Sequence, residues 1–260
     1  MTWIYLSPHL DDAALSCGGL IAQQNLTGEA AEIWTICAGD PPPGPFSPFA
    51  EELHARWQAG REATALRRQE DLIACARLSA AYRHLPLPDC IYRRSGLDYW
   101  GANDLAHPGH SLEPGAYLYS NREAIFAALH PLEDGLVRLL AQKLGELLPS
   151  GVEVVSPLTL GRHVDHQLTR KAAEALGRKL WYYADYPYAR EHSEEIVELE
   201  ASGWRRQQFS ISSAALQAWI QAVAAHQSQI STFWQDDSAM QADIRAYHDQ
   251  SDGAILWKME

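Results

Sequence analysis

Cysteine is scarce and scattered, with four in 260 residues (Cys17, Cys37, Cys75 and Cys90) and no CxxC pair among them. That spacing excludes a disulfide framework, and buried free thiols in a reducing cytoplasm are the expectation. Basic residues are outnumbered, 21 Lys plus Arg against 33 Asp plus Glu, for a formal charge of −12. A surface that acidic repels polyanions, so nucleic acid is not expected as a partner. An anionic membrane also wants the opposite sign, and no apolar run is long enough to span a bilayer. The first residues lack the basic, apolar and small-residue sequence of a secretory signal, so the expected location is cytoplasmic. Internal repeats, low-complexity tracts and charge blocks are missing too, which excludes a solenoid.

Hydrophobic residues make up 47% and charged residues 21%, ordinary values for a globular chain that can build a core. Residues 3–6 (Trp-Ile-Tyr-Leu) are a short apolar run suited to a buried strand. Residues 13–24 read as a helix, with Gly18-Gly19 marking close helix packing, and residues 31–38 as a second strand. Strand, helix, strand in that space is a βαβ unit and predicts a parallel sheet. Five prolines within residues 39–48 make a surface loop, either a lid or a rigid connection. Residues 49–81 read as two helices split near Gly60, and residues 83–87 as a third strand. Residues 89–120 are polar, aromatic and rich in Gly and Pro, a long loop of the kind that shapes a binding site. Tyr99 and Trp100 in it, and Tyr186 later, are candidates to stack on a sugar ring. Helices over 133–148, 164–176 and 213–233 and strands over 152–156 and 180–184 complete the pattern. One α/β domain over residues 1–260 is the simplest account, with a mostly parallel Rossmann-like sheet and helices on both faces.

Two segments concentrate ionisable groups. Pro8-His9-Leu10-Asp11-Asp12 follows the first strand, and Gly161-Arg162-His163-Val164-Asp165-His166 follows the strand at 152–156. Both therefore sit at carboxyl ends of parallel strands, the edge where open α/β sheets bind ligands. Taken singly, either aspartate could cap the next helix and His163 could be a surface residue. A cap explains one aspartate and leaves its neighbour and the histidines unexplained. Two imidazoles and a carboxylate are a common catalytic metal shell with open positions. His9, Asp12 and His166 supply it, which leaves Asp11 beside the metal as a base and His163 one helical turn from His166.

These segments resemble the PIG-L/LmbE superfamily of zinc-dependent N-deacetylases. Its first motif reads Ala-His-Pro-Asp-Asp-Glu and its second His-x-x-Asp-His or His-x-Asp-His, against Pro8-His9-Leu10-Asp11-Asp12-Ala13 and His163-Val164-Asp165-His166. Gly18-Gly19, Arg67-x-x-Glu70, Leu87-Pro88-Asp89, the Tyr183–Tyr188 run and Ala225-His226-Gln227-Ser228-Gln229 support the likeness in chain order. The resemblance implies one zinc ion per chain on His9, Asp12 and His166, and Asp11 as general base. It further implies His163 as proton donor or oxyanion stabiliser, Asp165 orienting a histidine, and Arg67 and Asp89 holding substrate hydroxyls. The implied substrate is an N-acylated amino sugar or a conjugate of one. The carboxylate of Asp165 is expected to keep His163 partly protonated at neutral pH. Leu10 and Ala13 replace the family's Pro and Glu, and Gly161 stands where some relatives have a tyrosine that polarises the amide carbonyl, a part left to Arg162, to another loop residue or to zinc alone.

Two other readings compete. His9-Leu10-Asp11 with His166 is the literal facial triad of non-haem Fe(II) oxygenases, but those sites sit on all-β barrels. A metal-binding module that has lost catalysis is the other, although a mere binder has no need of Asp11 and His163. Sequence leaves the oligomeric state open.

Overall fold

The unbroken apolar run at residues 3–6 is buried on both faces, which places its strand at the centre of the sheet. The computed structural model describes residues 1–100 and 112–259. Strand β1 (Thr2–Ser7) pairs in parallel with β2 (Ala30–Thr35) on one side and β4 (Glu153–Pro157) on the other. Strand β3 (Ala81–His84) extends the sheet beyond β2, and β5 (Trp181–Tyr183) beyond β4, both in parallel. Two further strands, β6 (Trp204–Phe209) and β7 (Ala254–Met259), close the far edge antiparallel, giving the order β3-β2-β1-β4-β5-β7-β6. The chain thus winds outward in both directions from β1 and β4. That reversal opens a crevice at their carboxyl ends.

Helices fill the connections. They are α1 (Asp12–Leu26), α2 (Pro48–Arg56), α3 (Ala63–Arg77), α4 (Arg122–Ile125), α5 (Asp134–Leu147) and α6 (Val164–Glu174), followed by α7 (Tyr188–Glu191), α8 (Ser193–Ala201), α9 (Ser213–Ala225), α10 (Gln227–Phe233) and α11 (Asp237–Ser251). Side chains alternate along β1, so its two faces build two cores. Trp3 and Tyr5 pack with Leu20, Ala74 and Ala222 of α1, α3 and α9. Ile4 and Leu6 pack with Leu140, Leu144 and Leu168 of α5 and α6. This is the expected single α/β fold with helices on both faces. Among the described residues no helix is long and apolar enough to cross a membrane.

Several boundaries differ from the sequence reading. The helix expected over 213–233 breaks at His226, whose φ of −81° and ψ of 57° end α9 and start α10. Strand β3 lies two residues earlier than expected. Strand β6 has no apolar signature because Arg205, Arg206, Gln207 and Gln208 are exposed at the sheet edge. The proline loop is tied down: Arg94 and Tyr117 donate to the carbonyl of Pro45, Arg61 donates to that of Gly44, and Pro48 starts α2. Of the loop expected over 89–120, residues 101–111 lie outside the described residues, and Cys90–Tyr92 form a 3₁₀ turn. Tyr99 and Trp100 pack against the core, and Tyr186 is buried on Tyr247 with ring centroids 4.6 Å apart, so these are packing residues.

The glycine pair does admit a neighbouring helix. A Cβ on Gly18 would stand 2.4 Å from Cδ1 of Trp219, whose indole N–H donates to the Leu15 carbonyl at 3.1 Å. Gly18→Ala is therefore expected to destabilise the protein by about 1–3 kcal/mol through overpacking. Chemical denaturation checks it, and unchanged stability rejects close packing as the reason for this glycine.

Candidate metal centre and its cleft

The turn from β1 into α1 is held by Ser7. Its Oγ donates to the His9 carbonyl at 2.6 Å and accepts the Ala13 N–H at 2.9 Å. Ser7 thus satisfies a helix-start donor, and no side chain at Asp11 caps the helix. The bland reading of Asp11 fails on that geometry, and both aspartates are left for other work. The Asp12 carboxylate turns back over the turn. One oxygen, Oδ2, accepts the His9 backbone N–H at 2.8 Å and lies 3.0 Å from His9 Nδ1. The same oxygen is 3.2 Å from Nε2 of His166, which α6 carries on its first turn.

Each imidazole is fixed from behind by a second carboxylate. His166 Nδ1 lies 2.6 Å from Asp185 Oδ1, and Asp185 Oδ2 accepts the Leu160 N–H at 2.9 Å. His9 Nε2 lies 2.9 Å from Asp165 Oδ2, which also accepts the Cys90 N–H at 3.0 Å. Carboxylates behind both rings are the usual outer support of metal-binding histidines. Zinc bonds near 2.0 Å at tetrahedral angles put donor atoms about 3.3 Å apart, close to the spacing of Asp12 Oδ2 from the two nitrogens. The electrostatics ask for a cation as well. Burial opposes a charged His9, but Asp89, Asp12 and Asp165 outweigh it and raise its pKa well above the usual range. Burial likewise opposes a charged His166, yet Asp12 and Asp185 hold its pKa at about 10. Burial also opposes ionised Asp12, and the two histidines override it to pull its pKa well down. Two imidazolium protons thus sit where one divalent cation replaces them with no change of net charge. His9, His163 and His166 also bring ring nitrogens within 4.8 Å of one another, so His163 is the neighbouring donor.

The remaining predicted residues divide. Asp11 is buried and 3.5 Å from Nη2 of Arg67. Burial raises its carboxyl to about 6, Arg67 pulling the other way. Arg67 lies 3.8 Å from Asp89 and 4.9 Å over the Trp57 ring, so it faces both acids. Asp89 Oδ2 is 3.7 Å from His9 Nε2, and its Oδ1 accepts the Ile91 N–H at 3.2 Å. His163 caps α6, its Nδ1 accepting the Asp165 N–H at 3.2 Å, which leaves the ring proton on Nε2.

Asp165 departs from expectation. Its carboxylate orients His9, and although an oxygen lies within 4.8 Å of a His163 ring nitrogen its hydrogen bond goes to His9. Its other oxygen pairs with Arg93 Nη1 at 2.6 Å. Burial therefore wins at His163, with His9 adding to it, and the ring is held neutral, well below the usual histidine range. The oxygenase triad also fails to assemble, because Asp12 and not Asp11 lies between the imidazoles.

Sequence reading gave no role to Arg93 or Glu133, nor to Asp185 and Tyr188 within the Tyr183–Tyr188 run. Asp185 had a signal, as it follows β5 directly and so reaches the same sheet edge. Arg93 had none, since nothing local marks an arginine for complete burial. Its Nε donates to Glu133 Oε1 at 2.5 Å, and Tyr119 donates to Glu133 Oε2 at 2.6 Å. Glu133→Gln removes one of the two carboxylates that pair with buried Arg93, Asp165 staying in place, and is expected to cost about 1–3 kcal/mol. A thermal melt checks it, and an unchanged midpoint rejects the pairing.

The site opens into a cleft of about 980 Å³ whose walls include Phe49, Trp57, Phe126, Tyr188 and Phe233. His9, Asp11, Asp12, Arg67, Asp89 and His163 all line it.

The profile of the PIG-L family, described as GlcNAc-PI de-N-acetylase, matches residues 4–176. A 2'-N-acetylparomamine deacetylase of Niallia circulans is 26% identical over 227 residues, which is 78% of this chain and 72% of that protein. One of the same description from Streptomyces fradiae is 26% identical over 202 residues, 75% of this chain and 60% of that protein. Among solved structures, the zinc-inhibited form of teicoplanin deacetylase Orf2 matches with a TM-score of 0.73 at 25% identity. That match covers 99% of this chain and 97% of the other.

Proposed function

This chain belongs to the PIG-L family, and we propose from that premise that it removes an N-acetyl group from an amino sugar or sugar conjugate as a zinc-dependent hydrolase. The observation that carries the proposal is the Asp12 carboxylate between two imidazoles, each backed by its own carboxylate. In the proposal His9, Asp12 and His166 hold one zinc ion. A divalent cation there polarises a carbonyl and acidifies water. Asp11, buried beside Arg67, takes the proton of the attacking water at its carboxylate. His163 donates from Nε2, either to the oxygen that gains charge or to the departing nitrogen. A neutral ring suits the first of these better. Arg67 and Asp89 present charge to substrate hydroxyls from the cleft floor.

The relatives act on acetylparomamine and teicoplanin, by their descriptions, which supports a sugar conjugate as substrate. The cleft volume lies at the upper end of the roughly 300–1,000 Å³ of small-molecule sites, which supports something larger than a single sugar. N-acetylglucosamine is the simplest member of that class to test. The four free cysteines support a cytoplasmic location, and residues 1–260 as one domain remain part of the proposal.

Metal analysis combined with an acetate-release screen over N-acetylated sugars and their conjugates tests it. About one zinc per chain and acetate release from at least one conjugate are expected. A metal-free protein, or release of no acetate from the whole screen, would overturn the reading.

A further inference from the structure

Gly161 is the last residue before the second motif that has no side chain, and its neighbourhood is full. A Cβ there would meet Cγ of Tyr188 at 2.8 Å, Cδ1 at 2.9 Å and Cβ at 3.2 Å. Its φ of +78° is also one that side chains disfavour. Besides taking that backbone conformation, the glycine lets the Tyr188 side chain approach closely the loop that carries His163. Tyr188 arrives from a different element, the start of α7, just past β5 and Asp185.

Three observations place its phenol in the working part of the cleft. Tyr188 lines the same cavity as His9, Asp11, Asp12 and His163. Its ring centroid is 6.1 Å from that of His166, edge to face, and 6.0 Å from that of Phe126. The hydroxyl makes no hydrogen bond to another described residue, unlike those of Tyr5, Tyr92, Tyr119, Tyr182, Tyr183 and Tyr186. A phenol keeps its proton at neutral pH and so offers one O–H donor.

Of the other donors that line the cleft, His163 serves this oxygen or the departing nitrogen, and an oxyanion accepts a second hydrogen bond beside it. Arg67 is shared between Asp11 and Asp89. Arg162 is exposed and does not line the cavity. Attack on an amide carbonyl moves negative charge onto its oxygen, and a donor already in place lowers that barrier without reorganising.

We propose that Tyr188 is a catalytic residue whose hydroxyl donates to the substrate's carbonyl oxygen as it becomes an oxyanion, with Gly161 providing the space for its ring. This rests on the deacetylase reading above. The phenol gives no proton away. It forms a hydrogen bond that strengthens as charge builds, then releases it when the carbonyl re-forms.

The test compares wild type with Tyr188→Phe and Gly161→Ala. Acetate release from the conjugate that wild type turns over is measured beside bound zinc. Affinity for N-(methylphosphonyl)glucosamine, a tetrahedral and anionic mimic, is the readout independent of turnover. Tyr188→Phe keeps the ring and removes only the donor. Its kcat is expected to fall about 100-fold, with KM and bound zinc unchanged and affinity for the phosphonyl compound falling in step. Gly161→Ala pushes the ring away and should lose kcat in the same direction, with zinc retained. An unchanged kcat and phosphonyl affinity in Tyr188→Phe overturn the proposal. So does a change confined to KM, or a loss of zinc. If wild type itself releases no acetate, the functional reading has failed first and the proposal falls with it.

Discussion

Asp11→Asn is expected to lower turnover by about two to four orders of magnitude while bound zinc stays unchanged. Asparagine matches aspartate in size and caps helices equally well, so a structural role would survive the exchange. A proton-accepting role would not. The same substitution has a second, opposite expectation. In metal-stripped protein, burial raises the Asp11 carboxyl to about 6, against an unfolded value near 4. Between those pH values the folded state holds a proton that the unfolded state has lost. The contribution of Asp11 to the stability of the stripped wild type therefore falls as pH rises from about 4 to about 6, and stays lower above that. The penalty corresponds to roughly 3 kcal/mol on the charged form. Asparagine has no charge to bury, so stripped Asp11→Asn should be more stable than stripped wild type at pH 7 by about 1–3 kcal/mol. Turnover and urea denaturation at pH 4 and pH 7 measure both effects. Near-normal turnover rejects Asp11 as the base. A variant less stable than wild type at pH 7 rejects the account of its burial.

What could be read from the sequence followed from how locally each signal is written. The βαβ opening and the two ionisable motifs were legible because turn chemistry interrupts apolar runs at residues 7–12 and 158–163. Parallel pairing then puts both turns at one sheet edge. The supporting carboxylates were harder to assign. Asp165 sits inside the second motif, yet it reaches across to His9, 156 residues away. No spacing rule distinguishes that partner from His163, two residues off, to which it gives a hydrogen bond only from its own backbone N–H. The expectation of a protonated His163 failed for the same reason. Arg93 and Glu133 were invisible because a buried ion pair leaves no periodicity. Tyr188 and Gly161 illustrate a third limit. A missing side chain at one position and a filling ring 27 residues later become one feature only when the backbone brings them together. Strand β6 was missed because four of its six residues face solvent as Arg and Gln.

His166→Ala is expected to strip the metal and abolish turnover, and Asp185→Asn to do part of the same by another route. The alanine variant removes one of the three proposed donors outright. It also leaves Asp185 Oδ1 buried without its 2.6 Å partner, at a cost of about 1–3 kcal/mol to the fold. A melt is therefore needed beside zinc analysis, and His166→Gln, which keeps a donor toward Asp185, separates lost metal from lost fold. Asp185→Asn leaves the imidazole in place but exchanges a charged acceptor for a neutral amide, so the ring becomes less basic and less firmly oriented. Weakening of zinc affinity by about 10- to 100-fold is expected, read by competition with a chelator. Asp165→Asn should weaken it to a similar extent through His9. Zinc affinity that follows the carboxylates behind both rings would tie the two halves of the sheet edge to one ion. Undiminished zinc in His166→Ala would place the ion elsewhere, and the nearest alternative donor is then His163, within 4.8 Å of His9. In that event His163→Ala, and not His166→Ala, would empty the site.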